Sequence, residues 1–417
     1  MRVRHGIGNA FAVAALCIVW PAASCVAAAA SAAAPVLLIS LDAFRWDYCA
    51  RHPEETTHLR ALASAGVSAA WLIPVYPSNT FPNHYSIATG LYPAHHGIIN
   101  NDFFDPKLGE LFHYSRPESG RDPRWWQGEP IWATAEKQGK HAAAYFWPGS
   151  EAPIGGVRPT YWKPYDYSVP FERRLEDVVG WLKRPPSERP DLIAFYLEET
   201  NSAGHNFGPE SVETISAIRL LDEHVGQMLD RLAAERIPVN VIVVSDHGMT
   251  PVSPERILFL DDYIDLKDVQ IDFGGPEAGL HPLRYSPAEL VERLRNMPHA
   301  KAMISDQLPA RFHMSGNPRI PPAWVIVDPG WRLLAHPMAK NIKVQTLKGD
   351  HGYDPAFSDM HGILIARGPA FRTDGHVVPA AENIHLYNLM CAVLGIQPAP
   401  NDGDDRLVRA MLRPAAP

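Results

Sequence analysis

Cysteine is scarce in this chain, with four among 417 residues, at positions 17, 25, 49 and 391. No two stand as C-x-x-C, which excludes a cysteine-built metal site. Cys49 and Cys391 are too few and too far apart for a disulfide framework; they are either buried free thiols or one bridge. Basic charge is also in short supply. Lys and Arg number 38 against 46 Asp and Glu, a formal net charge of -8, which excludes the basic face that grips a nucleic-acid polymer. Long apolar runs are missing as well: the strongest, Phe11–Trp20, is shorter than the roughly 20 residues a bilayer requires, so no stable membrane span is expected. Internal repeats and runs of like charge are absent. What is present, 46% hydrophobic and 20% charged residues, is enough to bury a large core.

The chain starts "MRVRHGIGNAFAVAALCIVWPAASCVAAAASAAAP". Two arginines, a short apolar run and an alanine-rich stretch with A-x-A-like sites are the anatomy of a secretory signal peptide, ending near residue 30. The expected location is therefore periplasmic or secreted. A lipoprotein anchor on Cys25 is the weaker alternative, since Ala22 stands where such a signal favours a branched residue.

Aliphatic runs recur along the rest of the chain: "VLLISLDAF" (36–44), "AAAYFWPGS" (142–150), "LIAFYLEETN" (192–201), "VNVIVVSDHG" (239–248) and "HGILIARGP" (361–369). They lack polar alternation, which predicts strands covered on both faces. Between them, Ile215, Ile218, Leu221, Val225, Met228 and Leu232 repeat at helical spacing over 211–235. Alternating strands and helices predict an α/β fold, a mainly parallel central sheet with helices on both faces. Residues 34–261 and 356–410 are assigned to this catalytic domain. Residues 262–355, proline-marked and with shorter runs, are assigned to a smaller inserted subdomain.

Polar residues with metal-ligand chemistry fall just after these strands. Asp42 closes the first run, Asn201 and His205 follow the third, Asp246 and His247 close the fourth, and His361 opens the fifth. In an open parallel sheet the carboxyl ends of the strands share one edge, where ligands bind. Singly, each residue has an ordinary role as a helix cap, a turn residue or a hydrogen-bonded core histidine. Together they are the oxygen and nitrogen donors that zinc accepts. A metal ion also explains how a hydroxyl could be activated without a neighbouring base. The stretch "VYPSNTFPNHYSIATG" (75–90) offers Ser78 and Thr80 near its centre, and the residues alone do not choose between them.

The motifs "ISLDAFRWDY", "PSNTFPNHYSIATGLYPAHHGIINN", "FWPGSEAPIGGVRPTYWKPYD", "YLEETNSAGHNFGPES", "VVSDHGM" and "DMHGILIARGPAF" occur in the order seen in the nucleotide pyrophosphatase/phosphodiesterase family of the alkaline phosphatase superfamily, which the chain resembles over nearly all of its length beyond the leader. The resemblance implies an alkaline phosphatase-like fold and two zinc ions. Asp42, Asp246, His247 and the nucleophile Thr80 would hold one; Asn201, His205 and His361 would hold the other. It further implies that Asn101 hydrogen-bonds a phosphoryl oxygen, that Phe81 and Tyr165 sandwich a nucleobase, and that Trp147, Glu151 and Tyr196 line the nucleotide pocket. At one position the chain departs from the family: Thr200-Asn201 stands where relatives have Pro-Asp, replacing a charged ligand by a neutral amide.

The implied reaction is hydrolysis of a phosphodiester or phosphoanhydride through a phospho-threonine, on a nucleotide or another small phosphodiester. A phosphomonoesterase would need an extra cation beside the nucleophile, and no arginine occurs between Tyr76 and Asn101. The Cys/Ser-x-Pro-x-Arg context of a sulfatase is absent. The alternatives that remain are a phospholipid or choline-type phosphodiesterase with the same metal site, and a nucleotide-binding relative impaired by Asn201.

Overall fold

The aliphatic runs become neighbouring strands. The computed structural model describes residues 34–414 except 341–343 and 345, and the expected signal segment lies outside the described residues. In chain order, strands β1 (Val36–Leu41), β2 (Val67–Ala69), β3 (Ala142–Tyr145), β4 (Tyr161–Lys163), β5 (Leu192–Leu197) and β6 (Asn240–Val244) are followed by β7 (Val269–Phe273), β8 (Glu277–Pro282), β9 (Ala300–Ile304) and β10 (Ala323–Val327), then β11 (Leu364–Arg367) and β12 (His376–Val378). One eight-stranded sheet has the order β12-β2-β11-β6-β1-β5-β3-β4. The five strands from β6 to β4 are parallel to one another. Only β11 runs against its neighbours. The expected architecture, a mainly parallel sheet with helices on both faces, is the one observed.

Every residue of β1 is fully or almost fully buried, because side chains alternate between two covered faces. Val36 and Leu38 enter a core shared with Ile87 and Leu386, from helices α1 (Thr80–Thr89) and α4 (His385–Leu394). Leu37, Ile39 and Leu41 enter the opposite core with Ile218, Leu221, Val225, Met228 and Leu232. These five lie on α3 (Val212–Ala234), capped by the Ser211 hydroxyl; Ile215, sixth in the expected stripe, is only half-buried. A shorter helix, α2 (Glu199–Phe207), connects β5 to α3. Cys49 and Cys391, the cysteines among the described residues, are free, and no helix among those residues is long and apolar enough to cross a membrane.

Strands β7 to β10 make a separate antiparallel sheet in the order β7-β8-β10-β9, with Leu280, Val325 and Val327 in a third core. Its other side joins the first core through Met303 and Trp324. Arg319, 2% exposed, locks the chain before β10 to the segment after α1. Its Nε donates to Asp105 Oδ2 at 2.7 Å, and its Nη groups donate to the carbonyls of Gly97, Trp125 and Arg124. Removing one partner of such a buried pair strands the other, which costs about 3–5 kcal/mol. Arg319→Met is therefore expected to lower the unfolding free energy by that amount in chemical denaturation. A loss below about 1 kcal/mol would mean that the pair is only as strong as an exposed one.

Candidate active site

Three loops leave the carboxyl edge of the central sheet beside one another. Asp42 follows β1, and its backbone N–H donates to Leu197 O at the end of β5 at 2.9 Å. Asp246 and His247 follow β6, and Asp246 Oδ1 accepts from Ala43 N at 3.2 Å. All three side chains are sealed from solvent. Tyr196 donates its hydroxyl to Asp42 Oδ2 at 2.5 Å. His247 Nδ1 is held by Gly248 O at 2.8 Å, which aims Nε2 at Asp246 Oδ2 (3.0 Å), Asp42 Oδ1 (3.5 Å) and the Thr80 hydroxyl (3.2 Å).

Asp42 Oδ1 has no hydrogen-bond partner, and Asp246 Oδ2 meets only the ring nitrogens of His247 and His84, at 3.0 Å and 3.2 Å, as ion-pair contacts without hydrogen-bond geometry. Burial, reinforced by Asp246, pushes Asp42 up to about 7. Burial also works against charge on Asp246, but His247 and His84 hold that carboxyl well below the ordinary range. The same pairing overcomes burial at His247 and raises it to about 9. Buried carboxylate oxygens without donors are costly unless a cation meets them, so this donor set fits a metal.

The second cluster starts on α2. Asn201 and His205 are four residues apart and share one helix face. His205 Nδ1 donates to Gly349 O at 2.9 Å, leaving Nε2 aimed at His351 Nε2, 3.1 Å away. His351 likewise spends its Nδ1–H on Ser78 O at 3.1 Å. With both Nδ1 atoms donating, two imidazole lone pairs face each other, an arrangement that suits a shared zinc and the backbone-oriented histidines that hold one. Burial lowers both histidines, His351 well below the ordinary value, helped by His247. Asn201 Oδ1 is also buried without a partner, and the His351 ring stacks on His247 at 3.8 Å, so the two clusters adjoin. Neighbouring Asp350 is already engaged, by Arg332 at 2.7 Å and by the His351 amide.

The expected ligand His361 is not in this group. Its ring stacks on Trp71 and its Nε2 donates to Pro355 O at 2.9 Å, and the histidine that faces His205 is His351. Two His-Gly pairs, at 351–352 and 361–362, compete in the sequence, and only the second directly precedes an aliphatic run. The first is carried by Gly349–Asp350, paired with Thr250–Pro251 directly beyond His247. The echo of "SDHGM" in "GDHGY" was the available signal. Sequence reasoning also missed His84, whose Nε2 meets the Ser40 hydroxyl at 2.8 Å and whose Nδ1 lies 2.9 Å from Thr80 O and 3.2 Å from Asp246.

Thr80 is the first residue of α1, after an extended Asn79, so its hydroxyl sits at the positive end of a helix. Asn101 Oδ1 accepts from Phe81 N at 2.9 Å, leaving the Asn101 NH2 group as a donor. Ser78, the other hydroxyl in this stretch, is buried and bonded to Tyr353 O at 2.8 Å. Phe81, Trp147, Glu151, Tyr165 and Tyr196 all line a cavity of about 420 Å³ that reaches Thr80, Asn101 and both clusters. Trp147 Nε1 donates to His84 O at 3.2 Å. Glu151 accepts from Tyr165 N and pairs with Arg121 at 2.8 Å, so it fixes the loop that carries Tyr165. Arg116 and Arg121 also line the cavity, and nothing in their sequence context had singled them out.

The family described as Type I phosphodiesterase / nucleotide pyrophosphatase matches residues 36–354. Curated relatives include a venom phosphodiesterase of Crotalus durissus collilineatus, 38% identical over 91% of this chain and 46% of its own length. Human ectonucleotide pyrophosphatase/phosphodiesterase family member 1 is likewise 38% identical, over 91% of this chain and 42% of its own. The chain thus spans less than half the length of these relatives. Among solved structures, murine ectonucleotide pyrophosphatase/phosphodiesterase 5 is 34% identical, with a TM-score of 0.85 over 91% of this chain and all of the other. An inactive threonine-to-alanine form of that murine protein, in complex with AMP, also superposes with a TM-score of 0.85 at 33% identity. With its fold and most of its length matched, the chain belongs to the Type I phosphodiesterase / nucleotide pyrophosphatase family.

Proposed function

We propose that this protein is an exported, zinc-dependent nucleotide phosphodiesterase/pyrophosphatase that releases a nucleoside monophosphate through a phospho-threonine at Thr80. The observation that carries the reading is the convergence of unpartnered buried acceptors, Asp42 Oδ1, Asp246 Oδ2, Asn201 Oδ1 and the facing histidine nitrogens, beside the Thr80 hydroxyl at the cavity floor. Asp42, Asp246, His247 and Thr80 would hold one zinc, and Asn201, His205 and His351 the other. When bound, the two ions supply the positive charge that makes a hydroxyl nucleophilic and offsets charge developing at phosphorus.

The residues of the chain do the rest. Thr80 Oγ1, its proton passing to water, attacks phosphorus in line, the ester or anhydride bond breaks so that the alcohol or pyrophosphate departs, and the phosphoryl group rests on Thr80 with its nucleoside still attached. Water then attacks the same phosphorus from the opposite side and restores the hydroxyl. The Asn101 NH2 donates to a phosphoryl oxygen, since its Oδ1 is already engaged by Phe81 N. Such fixed donors lower the barrier by positioning and charge stabilisation. Phe81 and Tyr165 offer aromatic faces to a base, and the AMP complex of the murine relative supports a nucleotide as the occupant. Arg116 in the lining offers a cation to an anionic substrate, whereas Arg121 is already paired with Glu151. The leader-like first thirty residues support export. Neutral Asn201 leaves two dications under-compensated, so anionic products are held tightly.

Thr80→Ala is expected to lower turnover of a chromogenic nucleotide diester about a thousandfold or more, as loss of a nucleophile does, with folding and zinc content retained. Ser78→Ala should cost about 1 kcal/mol of stability and leave turnover within a fewfold of the parent. Full turnover by the Thr80 variant would remove it as the nucleophile.

Phe81→Ala and Tyr165→Ala should each weaken kcat/KM for nucleotide substrates about tenfold to hundredfold, as loss of base stacking does, while sparing a small aryl phosphodiester. Equal losses on both substrates would show that the rings serve only packing.

A further inference from the structure

Glu277, on β8 of the second sheet, is 3% exposed and belongs to none of the groups described above. Its Oε1 accepts from Asn79 Nδ2 at 2.8 Å and from Asn100 Nδ2 at 3.0 Å. The two amides are also joined to each other at 3.0 Å, and Asn100 Oδ1 accepts from Asn101 N at 2.6 Å. A third segment meets the carboxylate from its other side. Gly352 has φ +113, and a Cβ there would lie 2.7 Å from Glu277 Oε2 and 2.9 Å from Asn79 Oδ1; only glycine allows this backbone so close.

Each of the three touching residues is the chain neighbour of a residue in the proposed chemistry: Asn79 precedes Thr80, Asn100 precedes Asn101, and Gly352 follows His351. We infer that Glu277 is a positioning residue, a single buried acceptor that sets the nucleophile, the phosphoryl-binding amide and a metal-binding histidine in register with one another. The inference rests on the assignment of Thr80 as nucleophile. A buried carboxyl group with one oxygen unpartnered, which burial pushes up to about 8, is a costly way to fill space, and an aliphatic side chain would pack there without that cost. What an aliphatic side chain lacks is an oxygen accepting from two loops at once. The required feature is the acceptor oxygen and its reach, so glutamine can supply it through its amide oxygen, whereas leucine cannot and aspartate falls one methylene short.

The experiment compares Glu277→Leu, Glu277→Asp and Glu277→Gln with the parent in kcat, KM, melting temperature and zinc content, on both a nucleotide diester and an aryl diester. Displacing reacting groups by about an ångström costs on the order of a hundredfold. The leucine and aspartate variants should therefore lose about 30-fold to 100-fold in kcat on both substrates, with KM within about threefold and two zincs retained. The glutamine variant should return kcat to within about threefold of the parent. A folded leucine or aspartate variant with parental kcat overturns the inference, as does a glutamine variant as slow as leucine. If leucine fails to fold, the aspartate and glutamine variants decide. Thr80→Ala is measured alongside: turnover retained there removes the parent assignment, whereas turnover lost there with the Glu277 series unaffected removes only the role of Glu277.

Discussion

Unpaired acceptors meeting in a buried space are the constraint on which the rest of this structure depends. Asp42 Oδ1 and Asp246 Oδ2 lack hydrogen-bond partners, and the Nε2 atoms of His205 and His351 face each other at 3.1 Å with both ring N–H groups already spent on backbone carbonyls. Packing alone leaves this set of buried acceptors poorly satisfied, and positive charge placed among them offsets the cost of burying them. With ions bound there, the chemistry of the site and the stability of the folded edge of the sheet would depend on the same ions, as is general where metal ligands converge in a folded chain.

The fold meets this constraint through short covalent links to rigid elements. Asp42, Asp246 and His247 stand within three residues of the ends of adjacent parallel strands, whose positions are set by burial on both faces. Asn201 and His205 gain the same precision from a helix, and Thr80 from the first turn of another. His351 is the exception, being delivered by the segment that carries the second sheet. That segment needs anchors of its own, and it has them in the Arg319–Asp105 pair and in the amide network around Glu277.

Much of this was legible in the sequence because burial on both faces writes itself as unbroken aliphatic runs, and the residue after such a run lies at a predictable edge. Asp42, Asp246, His247 and Asn201 with His205 were accessible by that logic. His351 was not, since it follows a two-residue strand with no aliphatic run, and the motif resemblance put the ligand at His361, which packs on Trp71 instead. His84 and Glu277 carry no sequence signal either. Their roles arise from contacts across 162 positions at Asp246 and across 177 and 198 positions at Asn100 and Asn79, which no local pattern records.

The central claim is that two zinc ions sit between these residues, and anomalous scattering at the zinc edge from crystals grown with zinc tests it most directly. Two peaks are expected. One lies within about 2.0–2.2 Å of donor atoms on Asp42, Asp246 and His247, and the other at similar distances from Asn201, His205 and His351, with none at His361. A single peak, or a peak on His361 with His351 unligated, would contradict it.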